Sequence, residues 1–517
     1  MFPRQFHQWV YFIGLVLLAI SLPYSVFTLS VAQITLAINW ALEGDYSKKW
    51  ERLKDRPAIW IISVLYMVHV VWMAGTTDYS YGFSDLRIKL PMFALPLIIG
   101  TSSPLNKVRF KVLLNLFSAA VFVATVICAF QIWGFNDSII VRDADFFPYV
   151  SHIRLSLMVV LAIFTMGWLF MQIESAYRWL YTPVILWLIL SLLIIRQFTG
   201  IIIFIAITTM LMCWGAWISK NLMARWFLLV SLATMTILIT SYITHAYSRF
   251  FTFDSINIAT LEKYTANGNE YQHDPSGKAV ENGHYIDLYI CDKELRKSWK
   301  TKSQLDFDGT ATNEGSLRAG LIRYLTSKGL RKDSAGFSQL TNRDIKYIEA
   351  GVTNYIDTVR FSLYPKLYVT FWELYNYKNG GNPTGCSIAQ RLEFLKTASH
   401  IIAHNTWFGV GTGDVPEAFD NQYKLDNSPL APTNRFRTHN QWFTFTVAFG
   451  IVGILLIILA LSVPPFIEKK YLNYLFIMIF VIGLLSFFTE DTLETHQGVS
   501  FFAFFYSLFL FRKDEEA

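Results

Sequence analysis

The sequence predicts an all-α polytopic membrane protein: about 12 transmembrane helices, with a large, mainly helical extracytoplasmic loop domain between spans nine and ten. Three observations carry this. Of 517 residues, 53% are hydrophobic and only 16% are charged, against about 25% charged in soluble domains. The apolar residues gather in blocks long enough to cross a bilayer, which takes about 20 helical residues. The loops between those blocks alternate between basic and poor in Lys and Arg, as they do in a chain threaded back and forth.

The blocks lie near 9–22, 25–41, 58–74, 89–101, 112–134, 154–173, 181–195, 197–217, 226–244, 442–463, 473–489 and 499–511. The first follows Arg4 and His7 without a small-residue cleavage site, so it reads as a retained helix rather than a removed signal. The net charge is a modest +6, and its distribution matters more. The basic loops are "SKKWERLKDR", "NKVRFK", "SKNLMAR", "EKKY" and "RKDEEA", which puts both termini in the cytoplasm. Trp40, Trp50, Trp60, Tyr181 and Trp442 fall near span ends, as an interfacial belt would. This threading divides the chain into spans one to nine (1–244), an extracytoplasmic domain (245–441) and spans ten to twelve (442–517). The turns near 75–88, 135–153, 195–199 and 490–498 share the outer side.

The outer domain is too long and too polar to be a connector. Helix signals begin at "SLRAGLIRYLTSKG", with Leu317, Leu321 and Leu325 at four-residue spacing and Gly329 as the stop. In "TNRDIKYIEAG", Thr341 and Asp344 form a start signal and Gly351 a stop. Tyr364, Tyr368, Phe371, Trp372 and Tyr375 share one helical face, interrupted by Pro365, and read as a packing stripe rather than a sugar platform. Ser387 with Gln390 reads as a capping box, and Asp414 with Glu417 as a second. Between them "GVGTGD" gives a tight turn. Its amides, with Gly411 and Gly413, suit an anion at a helix start; the alternative is that the glycines allow close backbone packing. Cys128 and Cys213 read as packers inside spans. Cys291 and Cys386 stand in a compartment that permits a disulfide, with two free thiols the favoured reading. His400 and His404 have an i, i+4 spacing compatible with zinc, but no third-ligand pattern accompanies them, and no metal is expected.

Ionisable residues at outer span ends carry the functional argument. "VILWLILSLLIIRQFTGIIIFIAITTMLMCW" is too long for one crossing, so it turns at "RQFTG" and leaves Arg196 at the tip. His152 and Arg154 begin span six, and Arg437 and His439 precede span ten. A charge near the bilayer costs a few kcal/mol or more unless paired. Each therefore needs a partner: a carboxylate such as Glu490, Asp491 or Glu494, or an anionic substrate. Arg391, in the first turn of its helix, adds a fourth case. Arginine suits phosphate because its planar fork donates two hydrogen bonds at once.

In their order, "IIRQFTG", then "QRLEFLKTASHIIAHNTWFGVGTGD", then "RTHNQWFTFTVAFGIVGILL" resemble the O-antigen ligase and O-antigen polymerase superfamily of membrane glycosyltransferases. The resemblance covers spans six to ten and treats 255–385 as an insertion, leaving 386–441 as the catalytic-loop part. It implies an enzyme of the bacterial inner membrane that moves a polyprenyl-pyrophosphate-linked glycan en bloc to an acceptor hydroxyl on the outer face. It implies inversion and no metal, nucleotide or other cofactor. His439 matches the essential His and would act as general base, a task suited to an imidazole. Arg196 and Arg391 match the arginines that hold the pyrophosphate and stabilise its growing charge. Arg437, Arg154, His152 and Asn440 follow as substrate-binding candidates by position. The acceptor is lipid A-core, a sugar chain or a protein, so a repeat-unit polymerase and a protein O-oligosaccharyltransferase are alternatives within the same chemistry. A transporter or flippase of a lipid-linked anion is the rival class. Against it stand the lack of an internal repeat and the clustering of these residues at one face.

Overall fold

Helices make up nearly all the regular structure of the computed structural model, which describes residues 3–133, 150–277, 279–359 and 362–513. Most of the expected outer turn at 135–153 lies outside these residues. Every apolar block of the sequence is helical where described. Helix α1 is Arg4–Ser21 and α2 is Val26–Leu42, started by Ser25, whose Oγ accepts from the Thr28 amide at 3.2 Å. The chain then bends by 109° into the short basic helix α3, Tyr46–Asp55. Next come α4 (Pro57–Val71), α5 (Tyr79–Lys89), α6 (Pro91–Thr101), α7 (Lys107–Trp133) and α8 (His152–Met171). They are followed by α9 (Tyr181–Ile194), α10 (Phe198–Ile218) and α11 (Leu222–Phe250).

Helix α5 revises the expected turn at 75–88. Asp78 accepts from the Tyr81 amide at 2.9 Å and starts it. Its polar residues Asp85 and Lys89 are buried against each other, and the apolar helix expected from residue 89 begins at Pro91.

Among the described residues, seven helical stretches are long and apolar enough to cross a membrane, or eight if α2 and α3 form one bent span. These are Pro57–Gly75, Lys107–Ile132, His152–Met171, Ala176–Ile194, Phe198–Ile218, Leu222–Phe250 and Gln441–Ile467. The chain is therefore an all-α polytopic membrane protein.

Contacts divide the chain into two units: Met1–Ala129 with Phe147–Leu211 and Asn376–Ala517, and Phe130–Phe146 with Met212–Tyr375. The second unit holds α11 and the polar domain that follows it. That domain contains α12 (Asp292–Lys302), α13 (Leu317–Ser327), α14 (Ser334–Ser338), α15 (Asn342–Glu349) and a hairpin pairing Val280 with Tyr285 and Glu281 with His284. Leu317, Leu321 and Leu325 turn inward as their spacing required, onto Trp299, Tyr324 and Phe337. Gly329, at φ 68°, ends α13, and the Thr341–Asp344 capping box starts α15. In α16 (Tyr364–Lys378) the aromatic stripe packs on Ala246 and Phe250 of α11, the plain packing role expected of it. Pro365 sits in the first turn and starts this helix rather than interrupting it.

The first unit closes with α17 (Ser387–His404), α18 (Val415–Leu425), α19 (Gln441–Ser462), α20 (Pro464–Ile467), α21 (Tyr474–Thr489) and α22 (His496–Leu510). Two expected caps are not made. Ser387 is already helical, and Cys386 stands at the N-cap without capping the helix through its side chain. The Asp414 carboxylate turns away from α18 to accept from the amides of Thr77 and Asp78, both at 2.9 Å. No disulfide joins any of the four cysteines, and His400 Nδ1 bonds Asp426 at 2.9 Å.

Candidate active site

The residues that matter are presented by the start of α19, and a break inside that helix fixes its position. At Gly450 the backbone takes φ 63° and ψ −166° and leaves the helix. The chain from Thr406 to Gly411 lies in the gap. Val410 and Gly411 donate to the carbonyls of Val447 and Ala448 at 2.9 Å each. In return Ile451 and Val452 donate to the carbonyls of Thr406 and Trp407 at 2.9 and 3.1 Å. All four groups orphaned by the break are thus satisfied by one neighbouring strand of backbone, as a hydrocarbon setting requires. Only glycine permits the approach: a Cβ on Gly450 would stand 2.3 Å from the Trp407 carbonyl carbon, and one on Gly409 2.4 Å from that of Ala448.

This geometry corrects the anion-holding role expected of Gly411 and Gly413. The Gly411 amide is spent on Ala448, and the Gly413 amide on Thr76 Oγ1 at 2.9 Å. A Cβ on Gly413 would lie 2.2 Å from the Asp78 carbonyl oxygen, so these glycines serve close packing.

Above the break, the loop 435–440 meets the turn between α21 and α22, which carries three carboxylates. Glu494 is buried and accepts from Lys89 Nζ at 2.9 Å, Arg437 Nη1 at 2.7 Å and Gln441 Nε2 at 2.9 Å. Burial alone would raise its pKa, but Lys89 and Arg437 outweigh that and hold it well below the usual carboxylate range. Asp491 accepts from the His439 amide at 3.2 Å and from Thr444 Oγ1 at 2.9 Å. Burial, and then the neighbouring Glu494, push the Asp491 carboxyl up. Glu490 accepts from Arg391 Nη2 at 2.5 Å, and its other oxygen faces His439 Nδ1 at 3.7 Å.

The sequence-derived candidates therefore separate. Arg391, Arg437 and His439 gather on the turn 490–494, and the charge of Arg154 at the start of α8 faces Glu490 and Asp491. Arg154 Nε is buried without a hydrogen-bond partner among the described residues. His152 is the first residue of α8 and half-buried. Arg196 occupies the turn between α9 and α10 with a left-handed backbone, φ 55°. Asn440 caps α19, its Oδ1 accepting from the Phe443 amide at 3.2 Å and its Nδ2 donating to the Phe488 carbonyl at 3.0 Å.

Sequence reasoning named the three carboxylates as possible partners but missed Lys89 and Asp85. Their i, i+4 spacing in "SDLRIKL", at the edge of an apolar block, was the available signal. Arg437 bonds Glu494 and Arg391 bonds Glu490, and Arg437, Arg391 and His439 keep 31%, 36% and 40% of their side chains exposed. An imidazole held at one nitrogen by a carboxylate can take a proton at the other. A guanidinium with one N–H on Glu490 still has four donors for an incoming anion.

No curated protein matches the chain. Residues 352–458 do match a family model, taking in Arg391, Arg437, His439 and the Gly450 break, and beginning inside the stretch 255–385 that the sequence reading set apart as an insertion. That family is described as O-Antigen ligase, and the match agrees with the superfamily that the sequence resembles.

Proposed function

We propose that the chain is an inverting membrane glycosyltransferase that moves a polyprenyl-pyrophosphate-linked glycan to an acceptor hydroxyl on the outer face of a bacterial inner membrane. The observation that supports this most is the meeting of Arg391 and His439 at the two oxygens of Glu490. His439 Nε2 removes the acceptor proton while Glu490 steadies the imidazole through Nδ1. The acceptor oxygen then attacks the anomeric carbon, and the bond from that carbon to the pyrophosphate oxygen breaks with its electron pair. Polyprenyl pyrophosphate leaves, and the configuration inverts.

Arg391 receives the charge that grows on the leaving group. Arg196 joins it in this reading on the resemblance alone, and Arg154 on its unpartnered Nε. His152 stands next to Arg154 and lines the same approach. Arg437 holds the His439 loop through Glu494, and Asn440 starts the helix beneath it. The reaction needs no metal, since arginine supplies the positive charge. The twelve-span threading with both termini inside and 245–441 outside belongs to the same proposal, as does division of the chain at 244 and 441. Ligase, polymerase and protein transferase differ only in the acceptor.

Proteoliposomes carrying the purified protein, a polyprenyl-pyrophosphate glycan and candidate acceptors test this. Transfer is expected in excess EDTA, and His439→Ala should lower it about 10²–10⁴-fold. Unchanged transfer by that variant would remove the catalytic assignment.

A further inference from the structure

The second unit contains a polar cavity of about 570 Å³ between the segment 254–261 and the wall formed by 284–289 and 326–332. That size falls in the range of small-molecule sites, about 300–1,000 Å³. Its floor is fixed. Lys332 is buried, and its Nζ donates to the carbonyls of Tyr285 and Leu288 at 3.0 and 2.8 Å. Tyr289 holds a left-handed backbone at φ 56°, costly for an aromatic residue. The Arg331 guanidinium lies over its ring at 3.4 Å and bonds Glu262 at 2.8 Å.

The mouth, by contrast, is lined by groups with capacity to spare. Asp254 Oδ2 is paired with His284 Nδ1 at 2.6 Å. Asp254 Oδ1, His284 Nε2, the Ser255 hydroxyl and the Tyr285 hydroxyl have no hydrogen-bond partner among the described residues. Both acceptors and donors are on offer; Asp254 stands with Arg331 and Lys332 among the charged groups, and Arg331 is paired with Glu262 just outside the lining. A neutral ligand bearing many hydroxyls, each able to donate and accept, satisfies such a lining.

We infer that this cavity is a binding site for a neutral saccharide. The inference deepens the glycan-transfer reading and rests on it for the origin of the sugar, which is either the acceptor or the glycan carried by the donor. Binding itself requires no catalysis.

The test uses the full chain in nanodiscs and calorimetric titration with two sets of probes: deacylated surface oligosaccharide from the host, and glycan released by mild acid from its polyprenyl pyrophosphate. A panel of neutral oligosaccharides accompanies them. Ser255→Trp places an indole in the mouth, and Asp254→Ala removes an exposed acceptor. Wild type should bind at least one probe, Ser255→Trp at least tenfold more weakly and Asp254→Ala several-fold more weakly. His439→Ala should bind like wild type even if it transfers nothing, so failure of catalysis and failure of this site are separable. Binding of the first probe assigns the site to the acceptor and binding of the second to the donor. Absence of binding to every probe, or wild-type binding by both cavity variants, would overturn the inference.

Discussion

At Glu490 one carboxylate oxygen takes an N–H of Arg391 while the other faces the imidazole of His439. Each of those side chains was noticeable in the sequence because charge at a span end is expensive, yet the price alone does not say who meets whom. Arg437 illustrates the difference: its guanidinium donates to Glu494, far along the chain, which Lys89 also reaches. In the second unit Glu294, together with Asp344, sets an acid limit on stability. Burial would raise Glu294, but hydrogen bonds from Thr265, Ser334 and Asn269 outweigh it and hold the carboxyl at about 2, below its ordinary 4.5. Between those values the unfolded chain binds more protons than the folded one, so this contribution is intact above about pH 4.5 and lost as pH falls toward 2. Hydrogen exchange across α12–α15 should show protection falling over that window. Glu294→Gln should destabilise the unit by about 1–3 kcal/mol at neutral pH and flatten the acid response. An identical acid profile in wild type and variant would contradict this.

At the scale of elements, hydrophobic length made seven of the twelve expected spans legible, or eight with the bent pair α2–α3, because a bilayer core selects for it directly. The caps were less so. The Thr341–Asp344 box is local and forms, whereas the Asp414 carboxylate leaves its own helix for Thr77 and Asp78, a choice set by tertiary approach. Helix α5 was hidden because Asp85 and Lys89 look like loop residues until their burial against Glu494 is seen. The break at Gly450 was equally hidden, since its hydrogen bonds belong to residues 406–411. Gly450→Ala must both leave a left-handed backbone and clear the Trp407 carbonyl, and is expected to cost roughly 2–4 kcal/mol. Gly167→Ala, on α8 with open space around it, should be neutral or mildly stabilising. Thermal unfolding in detergent compares the two; equal midpoints would argue against the exchange of backbone bonds as a structural necessity.

At the scale of the whole molecule, the first unit draws α5, α8, α17, the loop 435–440 and the turn 490–494 to one place. Four cations (Lys89, Arg154, Arg391 and Arg437) stand there against Asp85, Glu490, Asp491 and Glu494, and burial discourages ionisation of Asp491. The sequence placed cations repeatedly at the span ends expected to face outward; the carboxylates that balance most of them became assignable only with the fold. What balance remains incomplete lies on the side where Arg391 and His439 are exposed, and there we place the diphosphate. The most direct measurement is the affinity of the purified protein for polyprenyl pyrophosphate, with polyprenol as the uncharged comparison, for wild type, Arg391→Lys and His439→Ala. Arg391→Lys should weaken pyrophosphate binding about tenfold or more by losing charge-assisted hydrogen bonds, while His439→Ala stays within about threefold of wild type and polyprenol binds weakly to all three. Equal affinity of wild type and Arg391→Lys, or no preference for the pyrophosphate over polyprenol, would contradict the account.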